Sequence, residues 1–226
     1  MKKYILNEPT GKVESHIDFA GDLNHQQYEV VTGSEGPCLV LAGAGSGKTR
    51  TLIYRLAYLL ERGVPPENIL LMTFTNKAAN EMKNRTEMLL RYSPKGLWSG
   101  TFHHIGNRML RMYAKNVGYE PDFNIMDAQD SKELIKTCIK KNVVSKDDRF
   151  PKPAVVQTIV SLSVNTKESV EAILDRRYPY LSKFSLEIEK VKNIYNQKKK
   201  DSNSMDYDDL LYQWKNLLAN DASVRD

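Results

Sequence analysis

Pro37-Cys38-Leu39-Val40-Leu41-Ala42-Gly43-Ala44-Gly45-Ser46-Gly47-Lys48-Thr49 is the stretch on which the reading of this chain turns. A short apolar run gives way to a loop of small residues and then to Lys48–Arg62. There Leu52, Ile53, Leu56, Ala57, Leu59 and Leu60 recur at helical spacing, and Gly63 before Pro65-Pro66 ends the pattern. Strand, glycine-rich turn and helix in that order are the setting of a phosphate-binding loop. Small residues let the backbone curl so that successive N–H groups face phosphate oxygens, and the helix N-terminus adds its partial positive charge. The backbone of Ala44, Gly45, Ser46 and Gly47 would form the cradle. Lys48 would pair with the β- and γ-phosphates, and the Thr49 hydroxyl would ligate Mg²⁺. Ala42 stands where G-x-x-x-x-G-K-[ST] has its first glycine, and keeps a small residue at that point. Cys38, inside the apolar run, reads as a small buried core residue rather than a reactive thiol.

Two further segments repeat the strand-then-helix pattern. Ile69–Phe74 precedes a helix through Ala78, Ala79, Met82 and Met88, and a weaker strand over Leu97–Phe102 precedes a helix over about Ile105–Asn116. Alternation at this pace predicts an α/β fold with parallel strands, and apolar runs without polar alternation predict strands covered on both faces. Beyond Gly118 the pattern turns helical from Asp127 to about Lys200, with breaks at Pro151, Pro153 and Pro179. Asp127 with Asp130 three residues on reads as a helix cap, and Leu134, Ile135, Cys138 and Ile139 as the apolar stripe that follows. Lys198–Ser204 reads as a polar exit, before a final amphipathic helix over about Met205–Leu218.

Composition bounds the rest. The chain has 226 residues, 41% hydrophobic and 27% charged, as a globular chain able to bury a core does. No apolar run approaches the ~18 residues a membrane span needs. Lys2 and Lys3 are followed by an apolar stretch that stops at Leu6, which is no signal peptide. Two cysteines, Cys38 and Cys138, make no disulfide framework and carry no zinc spacing, so the expected location is a reducing cytoplasm. A net charge of +5, from 33 basic and 28 acidic residues, leans toward a polyanionic partner.

Three more stretches narrow the class. Leu23-Asn24-His25-Gln26-Gln27 lies upstream of the loop, and a side-chain amide that donates and accepts at once suits the N6/N7 edge of adenine. Thr73-Phe74-Thr75-Asn76-Lys77-Ala78-Ala79 and Gly100-Thr101-Phe102-His103 follow the second and third strands, where open α/β sheets place ligands. Together with Met205-Asp206-Tyr207-Asp208-Asp209-Leu210-Leu211, these stretches resemble the UvrD/Rep/PcrA group of superfamily 1 DNA helicases over residues 20–218. The resemblance implies a RecA-like P-loop domain with a partial parallel sheet, interrupted by an inserted all-α subdomain. Residues 1–118 would be the first part of the motor domain, 119–204 the insertion, and 205–226 the returning helix.

The resemblance also implies roles. ATP and Mg²⁺ are the expected cofactors, with Lys48 and Thr49 as catalytic residues. Gln27 would read adenine, with Gln26 as the neighbouring ambiguity, and Arg50 would lie near the base. Thr73, Phe74, Thr75, Asn76 and Lys77, with Thr101, Phe102 and His103, would track single-stranded DNA, Phe74 offering a stacking face worth ~1–3 kcal/mol. Read alone, Phe74 ends a buried strand and packs as core; the resemblance turns it toward DNA. His104 departs from the serine usual there and carries no role. Arg176, Arg177 and Lys198–Lys200 could track duplex DNA at a single/double-strand junction, or form a solvated face. Asp206, Asp208 and Asp209 read as a helix cap rather than metal ligands.

Hydrolysis by a P-loop motor also needs an apolar strand ending Asp-Glu. The one look-alike, Phe123-Asn124-Ile125-Met126-Asp127, is weakened by Asn124 and Pro121. In the family that strand follows the Met205–Leu218 helix. The chain is therefore expected to be the N-terminal part of a 3′-to-5′ helicase, inactive in hydrolysis by itself. Two rivals stand beside it: an ATP-gated single-strand-binding module that is no motor, and a small-molecule nucleotide kinase.

Overall fold

The computed structural model describes residues 16–33, 36–142 and 150–225. The Lys2–Leu6 stretch lies outside them. The chain divides into two compact units between Ile105 and Gly106.

In the first unit, α1 (Phe19–Asp22) is capped by Asp18, whose carboxylate accepts from Gly21 N at 2.9 Å. Next come α2 (His25–Gly33) and α3 (Lys48–Glu61). Asn24 and Gln27 open α2 reciprocally: Asn24 Oδ1 accepts from Gln27 N at 2.9 Å, and Gln27 Oε1 accepts from Asn24 N at 3.3 Å. Strand β1 (Leu70–Thr73) leads into α4 (Asn76–Leu90), and β2 (Trp98–Thr101) leads into α5 (Phe102–Met112), which crosses the division after its first turn. The two strands are parallel, in register from Leu70↔Trp98 to Thr73↔Thr101. Ile17, Leu23, Val31, Tyr54, Ala57 and Leu90 form the core, with Phe19 edge-on to Tyr54 and Tyr58.

The expected first strand is corrected here. Pro37–Leu41 takes no strand structure; Leu39 and Leu41 are 85% and 87% exposed, and Cys38 is exposed rather than buried. Among the described residues the sheet of this unit consists of β1 and β2 alone, so no neighbour completes the ladder of the Pro37–Leu41 backbone. The helix expected from Ile105 to Asn116 also shifts. It starts at Phe102, directly off β2, and after Met112 the chain tightens into a 3₁₀ turn over Ala114–Val117.

The second unit continues through β3 (Asn124–Ile125), α6 (Ala128–Asn142), α7 (Pro153–Thr166) and α8 (Val170–Arg177). A 3₁₀ segment over Pro179–Phe184 leads to α9 (Ser185–Asp201), β4 (Ser204–Met205), α10 (Tyr207–Asn220) and α11 (Ala222–Arg225). Asp127 caps α6 as read: its Oδ1 accepts from Gln129 N and Asp130 N, and Asp130 Oδ2 accepts from Asp127 N. Proline occupies the first turn of α7, where its missing N–H costs no intrahelical bond. Helices α6 to α9 close over one core, including Ile135, Val156, Ile173, Leu174, Ile188 and Val191. A second cluster holds α10 against the segment from Leu110 to Phe123, through Met205, Leu210 and Leu217. Trp214 packs on Gly106, where a Cβ would come within 3.3 Å of the indole, and its Nε1 donates to Met109 Sδ at 3.0 Å.

Two sequence readings change in this unit. Asn124-Ile125 does form a strand, a two-residue one paired in parallel with Ser204-Met205, at the junction of the expected polar exit and final helix. Lys199 is no part of a polar exit. It is 2% exposed, with its ammonium 2.6 Å from both Asp206 Oδ2 and Asp209 Oδ2. Tyr195 also donates to Asp206 Oδ2, at 2.7 Å. Asp206 and Asp209 meanwhile cap α10 reciprocally, as expected. Burial works against the Asp206 carboxylate, but Lys199 and the hydrogen bonds outweigh it and hold its pKa low. Burial and the Asp206 charge push Asp209 up, and burial with the same two carboxylates pushes Tyr119 up to about 12.

Candidate nucleotide site and nucleic-acid face

The glycine loop folds on itself through short-range bonds that the small residues allow. Ser46 Oγ donates to Gly43 O at 2.8 Å, and Lys48 Nζ donates to Gly43 O at 2.7 Å and Ala42 O at 3.2 Å. Gly45 and Gly47 sit at φ +78° and +85°, the left-handed region that penalises a side chain. Gly47 is doubly constrained, since a Cβ there would stand 2.6 Å from Gln27 Nε2. That amide donates to Ser46 O at 3.0 Å, which holds Gln27 against the loop. Thr49 lies half-buried in the first turn of α3.

Beside the loop opens a cavity of about 650 Å³ lined by Gln26, Gln27, Gly43, Ser46, Lys48 and Arg55 among others. No carboxylate lines it, while two cations do. Backbone donors, a lysine, an arginine and a hydroxyl form a donor set that fits the phosphates of a nucleoside polyphosphate; Thr49 does not line this cavity. Arg55 was missed from the sequence. The signal was present: Lys48, Thr51 or Leu52, and Arg55 share one face of α3 at successive turns. Arg55 is held there by donating to Val31 O at 2.6 Å. Arg50 does not line this cavity. Its guanidinium donates to Asp22 O at 2.6 Å and lies over the Tyr54 ring, whose hydroxyl donates to Asp22 Oδ2 at 3.1 Å. Burial, then the Asp22 hydrogen bond, pushes the Tyr54 pKa up.

The second group assembles where the parallel strands end side by side. Thr73 and Thr101 are register partners, and each strand runs directly into a helix. Thr75 caps α4, accepting from Ala78 N at 3.1 Å, and Thr101 accepts from His104 N at 3.2 Å, opening α5. Two helix N-termini thus lie at one sheet end, with no acidic residue in either first turn. Phe74 is 89% exposed, so it does not end the strand as core. Its ring centroid lies 5.4 Å from that of Phe102 at 42°, a paired aromatic face in solvent. Asn76 and Lys77 are exposed beside it, and His103 is half-buried. His104 folds back over Gly100, where a Cβ would meet its ring at 2.8 Å.

The model of the UvrD/REP helicase N-terminal domain matches residues 23–226. The chain belongs to this family. It is similar to the ATP-dependent DNA helicase PcrA of Staphylococcus epidermidis RP62A, 39% identical over 199 residues. It is also similar to the protein of that name from Staphylococcus aureus Mu50, 37% identical over 197 residues. Each alignment covers 87% of this chain and 26% of the relative, so the chain spans about a quarter of the length of those helicases. Among the described residues, no helix of this family member is long and apolar enough to cross a membrane.

Proposed function

We propose that this chain is the ATP- and single-strand-binding portion of a cytoplasmic DNA helicase that translocates 3′ to 5′ and works at single/double-strand junctions. The observation that carries the reading is the acid-free cavity on the glycine loop of a UvrD/REP-family chain, with Lys48 and Arg55 on its wall. Lys48 would hold the β- and γ-phosphates, Thr49 the Mg²⁺, and the backbone of Ala44–Lys48 the phosphate oxygens, with Gln27 toward the base. Bound ATP–Mg supplies the phosphoanhydride whose cleavage drives such motors. The chain's own part is to grip the phosphates and to offer Phe74 and Phe102 to unstacked bases, with Thr73, Thr75, Asn76, Lys77, Thr101 and His103 along the backbone. Contacts of these kinds follow backbone and stacking, not base sequence.

In this reading, residues 1–118 and 205–226 belong to one motor domain and 119–204 are inserted in it; the packing of α10 on Leu110–Phe123 supports that return. No Asp-Glu dipeptide occurs in the 226 residues, which supports binding without substantial turnover by this chain alone. The test is titration of a fluorescent ATP analogue with Mg²⁺. Lys48→Ala is expected to weaken binding by about tenfold or more, the loss of a charge-assisted phosphate contact. Equal affinity in the variant and the parent chain refutes the nucleotide site.

A further inference from the structure

A cavity of the second unit, lined by residues of that unit alone, is rich in lysine. About 700 Å³ in volume, it is lined by Lys167, Lys192, Lys200 and Lys215, with the polar side chains of Asn196 and Gln213. Three carboxylates also reach it, and each is already engaged. Glu168 pairs with Arg176 at 2.5 Å, Glu189 with Lys192 at 3.1 Å, and Asp209 with Lys199 at 2.6 Å. Among the described residues, no carboxylate forms an ion pair with Lys167, Lys200 or Lys215.

Two of these lysines converge. Lys167 ends α7 in the left-handed conformation, at φ +61°, where the chain turns toward Ser169 and α8. Lys215 comes from α10. Their side chains approach closely enough that Lys167, by contact and by charge, holds the Lys215 pKa below its ordinary value. Both are exposed, and both line this one cavity. Lys200 adds a third positive charge near Gly118, where a Cβ would lie 3.6 Å from its ammonium. Unneutralised like charges facing a cavity with amide donors are the complement of a multivalent anion.

We propose that this cleft binds a phosphate-bearing polyanion, with phosphate oxygens neutralising Lys167 and Lys215 together. The site stands independently of the nucleotide reading, because none of its residues belongs to the glycine loop. Phosphate of this kind has two sources, the phosphodiester backbone of a nucleic-acid strand and a free polyphosphate.

The experiment uses the 226-residue chain carrying Lys48→Ala, which removes the glycine-loop lysine from the measurement. Inorganic tripolyphosphate and a short oligonucleotide are titrated separately against it and against Lys48→Ala/Lys167→Ala/Lys215→Ala. The Lys48→Ala chain is expected to bind at least one probe, and the triple variant to bind that probe about tenfold more weakly or worse. A loss confined to tripolyphosphate assigns the free anion. A loss for the oligonucleotide, with the salt dependence of binding reduced by about one per lysine, assigns the phosphodiester backbone. Either result supports the site. No binding of either probe to the Lys48→Ala chain, or equal affinities in both variants, overturns it. Lys215→Gln alone gives the same readout with one exposed side chain changed, should the triple variant fold poorly.

Discussion

Leu39 and Leu41, just ahead of the glycine loop, stand in solvent, while Ile135, Ile159, Ile173 and Ile188 of the helical unit are sealed from it. Both groups are apolar, and both come from segments that sequence alone assigns to a core. What separates them is how the backbone is satisfied. A helix closes its own hydrogen bonds, so α6 to α9 need only one another's faces to be buried. A strand must borrow its bonds from neighbours, and among the described residues of the first unit only β1 and β2 pair. The glycine loop and the exposed aromatic pair sit in the unit with the smaller buried core, and the helical unit carries a buried ionic cluster.

Lys199→Met tests that contrast most severely. It leaves two carboxylates buried without their cation and is expected to lower stability by about 3–5 kcal/mol in urea unfolding followed by circular dichroism. An unchanged midpoint would show that the cluster does not anchor its unit. Phe74→Ala should do the reverse. It is expected to weaken single-strand binding, measured by fluorescence anisotropy, by about 1–3 kcal/mol while leaving the unfolding midpoint in place. A lowered midpoint with unaltered DNA affinity would return Phe74 to the core.

A smaller effect comes from acid. Asp206 is held below the ordinary carboxylate value, so its contribution is full above that value and is lost as pH falls through the lowered one. Asp209, pushed up, has the opposite sign and favours the folded chain as it takes its proton. Stability is therefore expected to hold or rise through the first protonation and to drop only at lower pH. Asp206→Asn should flatten that acid-side drop in thermal midpoints measured across pH; an identical drop in the variant would locate its cause elsewhere. Smallest of all should be Leu39→Lys. In a side chain already exposed it is expected to move the midpoint by no more than about 0.5 kcal/mol, and a larger loss would mean that this stretch is packed in solution.

The sequence was most legible where local rules suffice. The caps at Asp127 and Asp206 and the glycine turn into α3 all depend on neighbours within four residues. Lys199 misled because a run of three lysines is usually a solvated face, yet its position continues the buried stripe of Ile188, Val191 and Tyr195 along α9. Periodicity should have outweighed composition there. The exposure of Pro37–Leu41 had no local signal, since partnership in a sheet is a property of distant residues. Phe74 was ambiguous for the same reason: one residue at a strand end faces core or solvent according to what else the sheet contains.

The short ladder of Asn124-Ile125 against Ser204-Met205 reaches further than its length suggests. Adjacent parallel strands lie ~4.8 Å apart and rise ~3.3 Å per residue, so the chain leaves and rejoins the α10 packing cluster at nearly the same place. Everything between them behaves as a cassette on a fixed mount. Closing a loop costs only about 0.6 kcal/mol for each doubling of its length, so insertions in the connections of that cassette cost the mount little, provided that α9 keeps Lys199 and Tyr195 on Asp206 and Asp209.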